Sequence, residues 1–525
     1  MRGGFALNDN EEDEVTKKTS LRSRLRPEGP WRLRFTWREC LLSTRRSFLA
    51  GSAAIAAASH PLTRFAAQTG DGAAVTISID SSKHLATVPE DFTGLSYESA
   101  QLGHPEFFSA ENKALIGLFR ALGKQGTLRI GGNTGEYTTW SAKDADAEKN
   151  RTPLAIGPDA GTAAKTASIL TPLAIRNLRE FIDAVGWRII YGLNLWHGTP
   201  ENAAAEAKYV ASTLGDRLIA FQIGNEPDMD HDPGAKERWT FDHYWERWTV
   251  HRDAVKAAVP SARFAAPDIA KEYDWLIKTA EKKPDLAFLS GHYYAEGPPA
   301  DPRMTLEFLL HRGRNPATQE FAVVREATKI LGRPYRMTEG NSCFHGGKPL
   351  VSDSFASALW SGDYWLQLAE AGYIGLNLHG GGNGLYTPIA GTVQNGFTAR
   401  PVYYGMLLAE NFAGATMTGT TVSAQTDAQN VTAFSALQDR RVKLAVFNKA
   451  PNAVTVKLAG AKIAHEGKLF WLQAPRIDSK EGATFGGSSV GSMRELQPKP
   501  QQTLPFRHGA ATLNMPAYSA AYIEA

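Results

Sequence analysis

At 525 residues, with 43% hydrophobic and 10% aromatic content, the chain has enough apolar material for a large buried core, which excludes an intrinsically disordered protein. The formal net charge of +3 is gathered at the front: residues 1–67 hold 12 Lys/Arg against 7 Asp/Glu, an excess of five that leaves the remainder at −2. A near-neutral body argues against nucleic acid or another polyanion as its main partner.

In chain order, the first signal is Ser43-Thr44-Arg45-Arg46-Ser47-Phe48-Leu49, followed by the weakly apolar run AGSAAIAAAS and the small-residue context Phe65-Ala66-Ala67. This reads as a twin-arginine-type export signal and leader over residues 1–67, and predicts a periplasmic or extracellular location. The apolar run is too short to span a bilayer, so no stable membrane insertion is expected. Of the two cysteines, Cys40 falls in the leader, which leaves Cys343 alone in the exported chain and no intramolecular disulfide.

After the leader, Val75-Ile77-Ile79 alternates with polar residues as a half-buried strand does. From residue 91 to 412, short apolar runs then alternate with helical patterns. The candidate strands are Phe92–Glu98, Gly126–Asn133, Arg188–Leu195, Leu218–Glu226, Ala262–Asp268, Leu286–Tyr294, Pro334–Glu339 and Tyr373–His379. Ala174, Leu178, Phe181, Ile182 and Val185 make one helical stripe; Phe355, Ala358, Leu359, Gly362, Leu366 and Ala369 make another. Eight strands each followed by a helix predict a (β/α)8 TIM barrel of the α/β class. After residue 413 the period changes to two, as in Val442-Leu444-Val446 and Val454-Val456-Leu458. Residues 68–90 and 413–525 are therefore expected to build one antiparallel β-sandwich beside the barrel, from both ends of the chain.

In a barrel of this kind, side chains at the C-terminal strand ends converge on one mouth. Glu226, in FQIGNEPD, ends the fourth candidate strand and Glu339, in YRMTEGNS, ends the seventh. Two carboxylates facing each other across the mouth suit cleavage of a glycosidic bond. One donates a proton to the leaving oxygen while the other, ionised, attacks or activates water. Gly487-Ser488-Ser489-Val490-Gly491 matches the hydrolase elbow G-x-S-x-G but lies among β-type segments rather than between strand and helix. No H-E-x-x-H, cysteine cluster or phosphate loop occurs, so neither metal nor cofactor is expected. Cys343 reads as a packed wall residue.

The stretches LRIGGN (128–133), QIGNEPD (222–228), SGHYY (290–294) and YRMTEGNS (335–342), with GNGLY (382–386) and the flanking sandwich, resemble clan A of the glycoside hydrolases. Within it they resemble family 79, the β-glucuronidase and heparanase family. The resemblance implies a retaining double displacement with Glu226 as acid/base and Glu339 as nucleophile. It implies that Asn225 binds the 2-hydroxyl of the sugar, and that Tyr293, preferred over Tyr294 by analogy alone, orients Glu339. Gly384 and Tyr386 would receive the uronate carboxylate, and Glu98, Asn133 and Tyr294 would line the pocket. The function implied is an exo-acting β-glucuronidase whose partner is a glucuronic-acid-bearing carbohydrate, with no obligate protein partner. An endo-acting, heparanase-like enzyme on glycosaminoglycans and a non-catalytic carbohydrate-binding protein are the alternatives.

Overall fold

The computed structural model describes residues 74–150, 168–232, 236–312, 318–380, 384–461, 463–490 and 497–525. The leader with its paired arginines lies outside them, as do Gly382 and Asn383.

Eight parallel strands close into a barrel: β1 (Thr93–Glu98), β2 (Thr127–Gly131), β3 (Arg188–Leu193), β4 (Leu218–Ile223), β5 (Phe264–Ile269), β6 (Phe288–Glu296), β7 (Tyr335–Cys343) and β8 (Leu376–His379). β8 pairs with β1 to complete the ring. Each expected strand has its counterpart, with ends displaced by a few residues. The largest displacement is at β7, which continues four residues past Glu339. There the pairing with both neighbours shifts register after Met337. A bulge of this kind lets two consecutive residues face one side. Thr338 and Glu339 both reach into the barrel, to Asp268 and Arg129 respectively.

The helices form where the stripes fall. Helix α1 (Pro172–Val185) starts with proline at its first position and stops at Gly186, whose φ of 89° suits a left-handed C-cap. Its whole predicted stripe is buried. Helix α2 (Phe355–Glu370) is buried on every side except at Glu370, because the antiparallel sheet covers the face that a barrel helix turns to solvent. α2 packs closely on α3 (Pro401–Glu410): a Cβ on Gly405 would fall 2.0 Å from the Ala358 carbonyl, so only glycine fits. Lys449 reaches from the sheet to Asp363 of α2 at 2.7 Å, with both side chains wholly buried.

Outside the barrel, ten of the described strands form one continuous sheet rather than two separate ones, and two short pairs stand apart from it: Thr138–Trp140 with Ser168–Leu170, and Ile389–Thr392 with Gly396–Ala399. Val75–Thr87 lies inside the large sheet, antiparallel to Thr416–Val422 and parallel to Val454–Gly460, so the N-terminal strand does join the C-terminal ones. Val456 and Leu513 near one end of the strand order share a core with Leu469 and Trp471 near the other. The opposite face, through Phe434, Phe447 and Tyr522, joins the barrel's own core.

Candidate active site

Strand β4 stops at Ile223, and three backbone contacts then fix the turn that carries Glu226. Gly224 N–H donates to Leu193 O, Asn225 N–H donates to a Glu136 carboxylate oxygen at 2.6 Å, and Glu226 N–H donates to Asp268 O at 3.0 Å. Glu226 itself has φ 50° and ψ 50°, the left-handed region that a non-glycine residue adopts only when its surroundings impose it. Asp268, at the bulged end of β5, has φ 62°. Two acidic side chains are thus held in strained backbone at the same rim.

One carboxylate oxygen of Glu226, one of Glu339 and a ring nitrogen of His292 lie within 4.8 Å of one another. Glu226 keeps 20% of its side-chain surface open and Glu339 7%, so the pair stands at the mouth rather than in the sealed core.

The two carboxylates meet different neighbours. Arg129, from the middle of β2, is buried beneath both strand ends. Its guanidinium donates to Glu339 at 2.6 Å, to Asp268 at 2.7 Å and to the Asn225 side-chain carbonyl at 2.8 Å. Tyr294 donates its hydroxyl to the other Glu339 oxygen at 2.7 Å. Burial opposes the charge on Glu339, but His379, His292, Arg129 and the Tyr294 hydroxyl outweigh it and bring its pKa down to about 2. Glu226 moves the other way. Burial raises its pKa, and the charges of Glu339 and Asp228 add to this, against the contact with His292 at 3.0 Å. At neutral pH Glu339 is ionised, and Glu226 is the member of the pair whose proton is held more firmly.

His292 sits between acids. Nδ1 faces Glu226, while Nε2 lies 3.1 Å from Asp268, too poorly aligned for a hydrogen bond but well placed for attraction between charges. Burial works against protonation, yet Asp268, Glu339 and Glu226 together raise its pKa to about 10. A protonated imidazole has no lone pair to give a metal, and Arg129 already supplies positive charge to Glu339. The Glu226, His292 and Glu339 trio is therefore poorly suited to hold a cation.

The structure corrects the choice between the tyrosines. Tyr294, not Tyr293, donates to Glu339. Alternation along β6 turns His292 and Tyr294 into the barrel and Tyr293 outward, where its ring stacks on Tyr364 of α2 at 5.2 Å.

The other expected pocket residues lie around the same mouth. Asn225 is buried; its carbonyl oxygen accepts from Arg129 and its amide donates to the exposed Asn133 at 3.0 Å. Glu98, at the end of β1, accepts from the Thr134 N–H and hydroxyl through one oxygen and faces His379 at 3.3 Å with the other. It braces the rim and keeps lone pairs in reserve. Tyr386 is buried with its ring 6.0 Å from Tyr294 and 5.9 Å from His379. Gly384 presses on Gly346, where a Cβ would fall 2.8 Å from the carbonyl oxygen, and its own carbonyl accepts from Arg400 at 2.6 Å. Cys343 is buried and its thiol is pushed up to about 12 by that burial, as a wall residue's should be.

No family model matches the chain. It is similar to a β-glucuronidase of Aspergillus niger, 24% identical over 404 residues, which are 69% of this chain and 71% of that protein. It is also similar to a β-glucuronidase of Neurospora crassa, 24% identical over 383 residues, or 65% of this chain and 66% of that one. Among solved structures, a 4-O-α-L-rhamnosyl-β-D-glucuronidase from Fusarium oxysporum 12S superposes with a TM-score of 0.67 at 18% identity, over 85% of this chain and 100% of the other. A GH51 arabinofuranosidase from Xanthomonas axonopodis pv. citri gives 0.64 at 16% identity, over 86% of this chain and 99% of the other. These structural likenesses establish the shared barrel-and-sheet fold.

Arg129, Asp268 and His292 carry much of the site's charge and His379 stands beside Glu98 and Glu339, and sequence reasoning gave none of them a role. A signal for them exists. Each is a charged or titratable residue at an inward position of an otherwise apolar barrel strand, in LRIG, APDI, SGHYY and LNLH.

Proposed function

We propose that this chain is a retaining, exo-acting β-glucuronidase of the family 79 kind. The observation that carries the reading is the Glu226 and Glu339 pair, close together at one rim and displaced in opposite directions in pKa, in a chain similar to two β-glucuronidases.

In the first step the ionised Glu339 attacks the anomeric carbon as the bond to the leaving oxygen breaks, and Glu226 passes its proton to that oxygen. In the second, water attacks the glucuronyl-enzyme ester, Glu226 takes its proton, and Glu339 departs ionised. Arg129 and Tyr294 keep Glu339 ionised and aimed between turnovers. Asn225 supplies an amide for the 2-hydroxyl, and the wall of Tyr386 and Gly384 is assigned to the uronate carboxylate. Residues 91–412 form the catalytic unit in this reading, with the antiparallel sheet accessory to it. Export through a twin-arginine route, supported by Arg45-Arg46 and the run after them, belongs to the same proposal.

A panel of aryl β-glycosides tests it. Turnover of the glucuronide, without the glucoside or xyloside, is the expected result. Oligosaccharides without free glucuronic acid from a polysaccharide would favour endo action, and binding without hydrolysis would replace the enzyme with a lectin-like protein.

A further inference from the structure

We propose that the rim beside Glu226 carries a leaving-group site, walled by the rings of Tyr137, Trp196 and His197, that takes a planar aromatic aglycone. The inference rests on the glycosidase reading above and extends it to the other half of the substrate.

The chemistry fixes the side. A general acid must stand next to the oxygen it protonates, so the departing group lies on Glu226's side of the mouth. The glycone falls toward β7 and β8, where Tyr294, Tyr386 and His379 gather. Trp196 and His197 lie just beyond β3, which pairs with β4, the strand that ends at Glu226's turn. Tyr137 belongs to the turn after β2, next in sequence to Glu136. Glu136 ties the two together: one carboxylate oxygen accepts Asn225 N–H and the other accepts Trp196 N–H at 2.6 Å.

The rings form a fixed corner. His197 stacks on Trp196 with centroids 4.4 Å apart and planes 20° apart. Tyr137 stands 5.8 Å from Trp196 and 5.1 Å from His197. The Trp196 indole N–H donates to His231 O at 2.6 Å, and Arg247 donates to Trp196 O at 3.2 Å. A side chain pinned through its backbone and its ring nitrogen loses little freedom when a ligand arrives. His197 is exposed and Tyr137 half-buried, so both keep ring surface open to solvent.

The charges choose among occupants. Burial, Arg247 and His231 lower the pKa of His197, so it presents a neutral ring at neutral pH. Asp230, one residue before His231, is buried with one carboxyl oxygen lacking a hydrogen-bond partner. Burial and the neighbouring Glu136, Glu226 and Asp228 raise its pKa to about 9, so at neutral pH it stays protonated and uncharged. With His197 and Asp230 both uncharged, a flat neutral ring meets matching faces at this corner.

The test compares benzyl and cyclohexylmethyl β-glucuronides, whose leaving alcohols differ little in acidity, so the ratio of kcat/KM isolates the aromatic contact. The wild-type protein should prefer the benzyl substrate by about three- to tenfold. Tyr137→Leu and His197→Ala, both at rings with open surface, should each bring the ratio toward one with the thermal midpoint of the protein preserved. A wild-type ratio near one, or a preference untouched by both substitutions, overturns the leaving-group site while leaving the glucuronidase reading in place. No turnover of either glucuronide by the wild-type protein would defeat both.

Discussion

Replacing Tyr294 by phenylalanine removes one hydroxyl and little else, and the structure says what that hydroxyl does. It donates to Glu339 at 2.7 Å in a buried setting, while Arg129 holds the other carboxylate oxygen. A hydrogen bond to a charged group contributes about 1.5–3 kcal/mol. At 1.36 kcal/mol per pKa unit, its loss should raise the Glu339 pKa by about one to two units. Starting from about 2, the carboxylate still ionises well below neutrality, because Arg129 remains. The acid limb of kcat/KM reports the group that must be ionised in the free enzyme. In Tyr294→Phe that limb should therefore move upward by about one to two pH units, with activity lost earlier as pH falls. The assay is kcat/KM for an aryl β-glucuronide in short pH jumps from a neutral stock. Tyr293→Phe, whose ring faces Tyr364, serves as the matched control and should leave the limb in place. An unmoved limb in Tyr294→Phe, or an equal shift in Tyr293→Phe, would refute the assignment.

On the alkaline side, activity should fall as pH rises through the elevated pKa of Glu226, because the departing oxygen then lacks its donor. With a dinitrophenyl glucuronide, whose leaving group needs no proton, Glu226→Ala should keep its first step and show no such fall in a pre-steady-state burst. Away from the mouth, Lys449→Met should take from Asp363 its buried ion partner, leaving only the hydrogen bonds from Thr432 and Gln367 inside the contact between sheet and helix α2. Breaking a buried pair costs about 3–5 kcal/mol. Calorimetry should show a thermal midpoint lower by several degrees with kcat/KM at 25 °C little changed, and Lys449→Met combined with Asp363→Leu should recover part of the loss.

The barrel was legible because each strand is a short apolar run between helical stripes, a local pattern that tertiary contacts reinforce. Glu226 and Glu339 could be picked out because they are carboxylates beside turn-forming residues near strand tips. What was not legible depends on phase and on partners across the barrel. Tyr293 and Tyr294 are adjacent, so one residue of register decides which enters the site, and no local pattern in SGHYY sets that phase. The bulge near Thr338 likewise extends β7 past Glu339, where the apolar pattern had ended. Arg129 reaches residues 96 to 210 positions away, a convergence that only the closed ring creates.

The most direct measurement of the central claim is the product that Glu226→Ala forms from an activated aryl glucuronide in the presence of azide, identified by proton NMR. If Glu339 attacks first and azide then displaces it from the face that Glu226 served, the product is β-glucuronyl azide, and Glu339→Gln yields none. An α-configured azide, or undiminished hydrolysis in Glu339→Gln, would contradict the account.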